Sequence, residues 1–400
     1  MSQPSPALRP RAIGLVTASL IFTGVGFAAT MPYSGIVAIE GLGISNGDYA
    51  LILTVGSLIG AVASVLLGWL SDRIGDRRRL VITVAIVGTL GPALLWFVRA
   101  PWAFVVMSCV LMPFGGAMYS QTLAYARAYL AGQTGSRVSF VMTMIRAAFA
   151  VSWVITPPVA GWIAATYTVF DPYAVAALAA VACVAIFLVL LRDPSMKVAS
   201  GEDEREALAE GGGIPVSMVA GILGVVALTS AMRLNGLATP LAVVTHWGGT
   251  VADVGIYAAL AAFIEIPFMI VWAYATRRVP LPLLIAAAGL LYAIYVYLAG
   301  NVGSVAELLW LQGLNGLATA ALVSLPISYV QEAIRGRVGL STSLLDVIFV
   351  ASSLLAAGAF ALFTARNHYL PIFDVAAVVG LAGAIVMALA FVLERWATSR

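Results

Sequence analysis

Apolar residues along this chain come in long unbroken runs, without the two-residue alternation of a strand or the single stripe of a soluble helix. A helix rises ~1.5 Å per residue, so about 20 apolar residues cross a hydrocarbon core of about 30 Å. Runs of that length, bounded by charge, proline or glycine clusters, lie at 12–38, 48–71, 79–98, 102–124, 137–165, 172–191, 215–245, 251–275, 281–299, 304–330, 338–364 and 371–393. They predict twelve transmembrane helices. High hydropathy on every face sets them apart from the dyad pattern of an outer-membrane barrel. One stretch breaks the rhythm: RDPSMKVASGEDEREALAEGGGIP, with five carboxylates within 202–210 and three glycines behind them. It reads as a solvated linker, 192–214, between an N-terminal six-helix half, 1–191, and a C-terminal six-helix half, 215–400. The fold class expected is all-α integral membrane, with two pseudo-symmetric halves.

Composition agrees. The 400 residues are 62% hydrophobic and 10% charged, against about 45–50% and about 25% in a soluble domain. The first run follows Arg9 and Arg11 and exceeds a signal-peptide core of about 7–15 residues, so it reads as an uncleaved span. Cys109 and Cys183 fall inside runs, as small apolar residues with no disulfide framework. With the N-terminus inside, every basic residue falls on the cytoplasmic side except Arg99 and Arg366 outside and Arg146 and Arg233 within spans. Both termini are therefore expected in the cytoplasm, in a multi-pass protein of a cytoplasmic (inner) membrane. The net charge of +3 is a set of lipid-facing anchors and implies no nucleic acid. Most tryptophans, among them Trp69, Trp96, Trp102, Trp247, Trp272 and Trp396, lie near span ends, where interfacial belts place them. The two histidines, His246 and His368, come without a metal-ligand motif, so neither an enzyme nor a metal or other cofactor is expected. A sensor or scaffold would need a soluble output domain, and the longest loop is the linker.

The connection after the second run reads GWLSDRIGDRRR, 68–79. It resembles the signature loop of the major facilitator superfamily, Gly-x-x-x-Asp-Arg-x-Gly-x-Arg-Arg, with Gly68, Asp72, Arg73, Gly75, Arg77 and Arg78 in place. Gly68 permits close helix approach and Gly75 a tight turn. The resemblance implies the major facilitator fold, with the substrate site between halves near the midplane. It also implies a cytoplasmic gate in which Asp72 meets the positive end of the eleventh span, near Gly339 and Ser341. After the eighth span, YATRRVP keeps Arg277 and Arg278 but lacks the Gly-x-x-x-Asp part.

A narrower resemblance rests on scattered blocks. MIRAAFAVSWVITPPVAGW (144–162), AGQTGSR (131–137), Glu-Ile-Pro from Glu265 and SYVQEAIRGRVG after the tenth span are similar to the sugar efflux transporter family. Thr156 stands where that family tends to have Gly before its paired prolines. The implied function is proton-coupled efflux of sugars or sugar-like compounds by alternating access. A multidrug or other metabolite exporter is the alternative, since substrate diverges easily between relatives.

Ionisable groups inside spans cost ~2.5–3.5 kcal/mol on insertion scales and normally face a cavity or partner. Arg146 lies ~14 Å and Glu265 ~15 Å from the inner surface. In the superfamily the fifth and eighth spans face each other, which makes an Arg146–Glu265 pair across the path plausible. That pair would couple protons to transport, or lock two helices permanently; Glu265 binding substrate hydroxyls directly is the third option. Asp346, ~12 Å from the inner face, is a second proton site or part of the gate. Arg233 binds substrate or snorkels outward. Asn235, Gln312, Asn315, Tyr33, Tyr119 and Trp153 are the candidates to bind a sugar, with helix-packing glue as the competing role for each. The partners expected are a small-molecule substrate, sugar or drug-like, with protons and the lipid bilayer, around a functional monomer.

Overall fold

The structure, a computed structural model, describes residues 10–74, 76–130, 136–193, 196, 216–333, 338–364 and 368–398. Among these residues twelve helices are long and apolar enough to cross a bilayer: α1 (Arg11–Gly41), α2 (Asn46–Ser71), α3 (Arg77–Val98), α4 (Pro101–Leu130), α5 (Phe140–Thr166), α6 (Asp171–Leu191), α7 (Val216–Thr245), α8 (Val251–Ala275), α9 (Leu281–Gly300), α10 (Gln312–Glu332), α11 (Leu344–Phe363) and α12 (Leu370–Trp396). Their number and order are those of the apolar runs. The fourth continues past the predicted end at 124 to Leu130. No strand occurs among the described residues.

Helices are the answer because a bilayer core offers backbone groups no water, so each N–H and C=O must be satisfied within its own segment. Prolines interrupt that ladder inside α3, α5, α7, α8 and α10. Around Pro32, α1 tightens into a 3₁₀ turn at Met31–Tyr33 and then widens into a π turn at Val37–Gly41. A second π turn, Met107–Leu111, precedes Pro113 in α4.

The chain forms two compact units, Met1–Ile44 with Val55–Glu202 and Ser45–Thr54 with Asp203–Arg400. The first turns of α2 thus group with the second unit, where Tyr369 Oη donates to Asn46 Oδ1 at 3.3 Å and Tyr49 meets Phe360 edge-on. Most of the linker, 197–215, lies outside the described residues.

Each unit repeats one packing scheme. In the first, α3 packs on α6, and α1 on α5 and α6; in the second, α9 packs on α12, and α7 on α11 and α12. Lipid tails are as apolar as leucine, so close van der Waals approach at small residues holds such helices together. A Cβ on Gly115 of α4 would sit 2.6 Å from Gly88 Cα of α3, and one on Gly56 of α2 would sit 2.8 Å from the Ser108 carbonyl of α4. In the second unit a Cβ on Gly316 of α10 would sit 2.6 Å from Ile264 Cγ2 of α8. At Gly68, by contrast, no described residue lies within 4 Å of a would-be Cβ, and on α2 the close approach is seen at Gly56. Span-end indoles also fasten the units. Trp96 Nε1 donates to Asp171 at 3.0 Å, Trp272 Nε1 to the Leu317 carbonyl at 2.8 Å and Trp247 Nε1 to the Val302 carbonyl at 3.1 Å.

Gly115→Ala places a methyl against backbone that cannot yield, and overpacking of this kind costs about 1–3 kcal/mol. A lowered melting temperature of the detergent-purified protein is expected, while Gly60→Ala, mid-helix with no described residue within 4 Å, does not lower it. Equal melting of the two variants would contradict the packing described.

Candidate functional site

The loop between α2 and α3 is built around Asp76 and Arg78. Asp76 caps the start of α3, its carboxylate accepting from the Arg78 backbone N–H at 3.1 Å. The Arg78 guanidinium returns a two-pronged contact, Nε to Oδ1 at 2.9 Å and Nη2 to Oδ2 at 2.7 Å. Its remaining nitrogen, Nη1, donates to the carbonyls of Leu190 at 2.7 Å and Asp193 at 2.8 Å. Those carbonyls end α6, where orphan acceptors and the negative end of the helix dipole favour a cation. Tyr125 Oη donates to the Met196 carbonyl at 2.9 Å, tying α4 to the same corner. Arg78 is 3% exposed, so this ion pair is an interior one. Burial raises the Asp76 pKa, but the hydrogen bonds and charge of Arg78, with the charge of Arg79, outweigh it and hold the carboxyl below its usual range.

The other gate-loop residues stand apart. Arg73 is exposed and stacks its guanidinium 3.9 Å from the Trp69 ring centre. Arg77 is half-buried, its Nε without a hydrogen-bond partner among the described residues. Gly75 and the side chains of Asp72 and Ser341 lie outside the described residues, so the expected meeting of Asp72 with the start of the eleventh span near Gly339 lies there too.

In the second unit three predicted residues belong to one buried network. Asn235 Nδ2 donates to Tyr257 Oη at 3.1 Å, and its Oδ1 accepts from Thr239 at 2.9 Å. Tyr257 Oη meets Tyr295 Oη at 3.0 Å, and Tyr295 is within reach of Gln312. Gln312 accepts from Asn315 Nδ2 at 2.7 Å and donates to the Leu308 carbonyl at 2.9 Å. The chain links α7, α8, α9 and α10, and leaves Asn315 Oδ1 buried without a hydrogen-bond partner among the described residues. At the next residue, Gly316, α8 packs close, a would-be Cβ lying 2.6 Å from Ile264 Cγ2 and 3.1 Å from the Glu265 N. Glu265 is half-buried there and makes no hydrogen bond or ion pair with a described residue of its unit. Arg233 lines a cavity of about 280 Å³ with its guanidinium 5.8 Å from the Phe349 ring centre. Asp346 is exposed on α11.

In the first unit Arg146, Phe149 and Trp153 follow one another at helical spacing on α5 and so share a face. Tyr119 of α4 packs on Phe149 at 4.5 Å between ring centres, with Phe27 of α1 edge-on behind it at 6.5 Å. Arg146 is exposed and Trp153 half-buried. Tyr33 is fully buried, its hydroxyl donating to the Pro157 carbonyl of α5.

A sequence profile of the Major Facilitator Superfamily matches residues 16–220, just over half the chain. The chain belongs to that superfamily. The match covers the signature loop whose Asp76–Arg78 pair has just been described. Among curated superfamily relatives, a Deinococcus radiodurans protein provisionally named a sugar efflux transporter is 28% identical over 394 residues, 98% of this chain and 99% of its own. Sugar efflux transporter A of Dickeya chrysanthemi is 29% identical over 332 residues, 80% and 81% of the two chains. A solved peptide transporter in complex with sulfate superposes with a TM-score of 0.79 at 12% identity, over 98% of this chain and 97% of that one, which speaks to the shared fold. The chain is thus a multi-pass membrane transporter of the superfamily, resembling its sugar efflux branch.

Sequence reasoning missed several residues of this superfamily member that the geometry singles out. Asp76 occupies a variable position of the signature loop, yet an aspartate just before a predicted span is an N-cap signal. Tyr257 and Tyr295 sit in apolar runs and carry the same polar signal as Asn235 or Gln312.

Asp76 bears on pH dependence. Because its carboxyl is held below the unfolded value of about 3.9, its contribution is complete above that value and is lost as pH falls through the lower, folded one. Removing one partner of an interior pair costs about 3–5 kcal/mol. Asp76→Asn is expected to lower the melting temperature by a constant amount from pH 5 to pH 8, the gap narrowing below pH 4. A gap that closes between pH 5 and pH 8 would contradict the assignment.

Proposed function

We propose that the protein exports sugars or sugar-like small molecules by alternating access, driven by proton entry. The observation that carries this reading is the likeness to relatives named sugar efflux transporters, which in one case runs nearly end to end in both chains. Two features of the second unit support it. A sugar hydroxyl needs an acceptor, and Asn315 Oδ1 is an acceptor with its partner place open. A coupled proton needs a carboxylate not fixed by a permanent partner in its own unit, and Glu265 stands at the neighbouring α8–α10 contact. In this reading Asn235 and Gln312 orient Asn315, and Tyr119 and Trp153 offer aromatic faces to a ring. Tyr33 braces α1 on α5.

Glu265 is the coupling carboxylate and Arg146 the cation that meets it in one state. A carboxylate's proton affinity rises on burial and falls beside a cation, so a motion that alternates the two moves a proton across. Asp346 is a second acidic group on the route or a member of the cytoplasmic gate with Asp72 and Arg73. The protein works as a monomer in a bacterial inner membrane, both termini in the cytoplasm.

The test is substrate-driven proton flux across the membrane of proteoliposomes, read with an internal pH-sensitive dye. The wild type is expected to alkalinise the lumen when sugar is added outside, since inward sugar exchanges for an outward proton, and not otherwise. Glu265→Gln should abolish that flux, by tenfold or more, while sugar exchange without a pH gradient continues. Proton flux that survives the substitution would move the coupling role to Asp346 and leave Glu265 a structural residue.

A further inference from the structure

The cavity beside Arg233 lies wholly within the second unit, between α7, α10 and α11. Its walls are Val225, Met232, Leu322, Ile348 and other aliphatic groups, with Phe349 as an aromatic face. Thr229 and Arg233, one turn apart on α7, are its polar residues. At about 280 Å³ it approaches the ~300 Å³ lower bound of ordinary ligand pockets.

A guanidinium keeps its charge under all accessible conditions, and inside a membrane span it needs a counter-charge or water. Here Nε is buried without a hydrogen-bond partner, and no described carboxylate lies within ion-pairing distance. Snorkelling is a poor escape, because Arg233 is ~18 Å of helix from the nearer end of α7. That depth also puts it beyond the reach of a lipid headgroup. The weak contact with Phe349, 5.8 Å to the ring centre, offsets little of the charge. What such a fork fits is a carboxylate, gripped through two parallel N–H···O bonds. The aliphatic and aromatic walls suit an apolar body behind it.

We infer that this cavity binds a small organic carboxylate with an apolar or aromatic body, held at its charged end by Arg233 and stacked on Phe349. This goes beyond export of neutral sugars and adds an acidic substrate class, aryl or alkyl sugar acids included. It does not require Glu265 or the first unit.

A matched ligand pair isolates the charge. Binding of 4-nitrophenyl β-glucuronide and 4-nitrophenyl β-glucoside to the detergent-purified full chain would be measured by calorimetry. The glucuronide is expected to bind at least tenfold more tightly, the scale of one charge-assisted hydrogen bond. Arg233→Gln should bring the two within about twofold of each other. The methyl ester of the glucuronide, tested on the wild type, should fall to the level of the glucoside, and this arm stands even where the variant fails to fold. Equal binding of acid and ester, or no binding of the glucuronide, overturns the inference. A protein that transports neutral sugars without a preference for the acid loses this site and keeps the sugar reading. Tight binding of the acid by a protein that moves no neutral sugar would uphold the site and refute that reading.

Discussion

A bilayer interior dissolves neither a bare peptide group nor a bare charge, and nearly every feature of this protein follows from that. The backbone answers with helices, which satisfy themselves. Side chains answer in three ways. Threonines and serines bond back to their own helix, as Thr54 does to the Ala50 carbonyl at 2.9 Å. Amides and phenols link across helices, as in the chain from Asn235 to Gln312. Arg78 uses a third way, sharing its charge between an aspartate and the open end of α6. Among the described residues of their unit Arg233 and Glu265 follow none of these; the coupling proposal rests on Glu265 and the carboxylate site on Arg233.

The order of helices was open to the sequence because run length and hydropathy are local properties. So was the superfamily, because its loop concentrates glycine and charge at fixed spacing. What the loop does was less open. The residues that recur in the motif drew attention to Asp72 and Arg73, whereas the interior ion pair is Asp76 with Arg78. That pair depends on where α6 ends, a long-range matter. Arg73, identical in chemistry to Arg78, lies exposed with its guanidinium over an indole ring.

Candidate sugar-binding residues show the same limit. Spacing placed Gln312 and Asn315 on one helix face, and the structure joins them at 2.7 Å. Spacing could not say that Tyr257 and Tyr295 would close the network from two other helices, or that a single amide oxygen would be left over. Glycines tell a parallel story. Gly68 looked like a packing site from its motif, yet no described residue packs on it, while Gly56 and Gly316 seat neighbouring helices. A missing side chain acquires its role only when another helix arrives. The apolar cavity at Arg233 likewise draws its walls from α7 on one side and from α10 and α11, far from it in the chain, on the other.

Facilitated counterflow tests the central claim, that this membrane protein carries sugars, most directly. Proteoliposomes preloaded with unlabelled sugar would be diluted into labelled sugar, with no pH gradient imposed. The account predicts a transient, saturable accumulation of label above its external concentration, abolished when the preload is omitted. Uptake that never exceeds equilibrium for any sugar, and is unaffected by preloading, would contradict it.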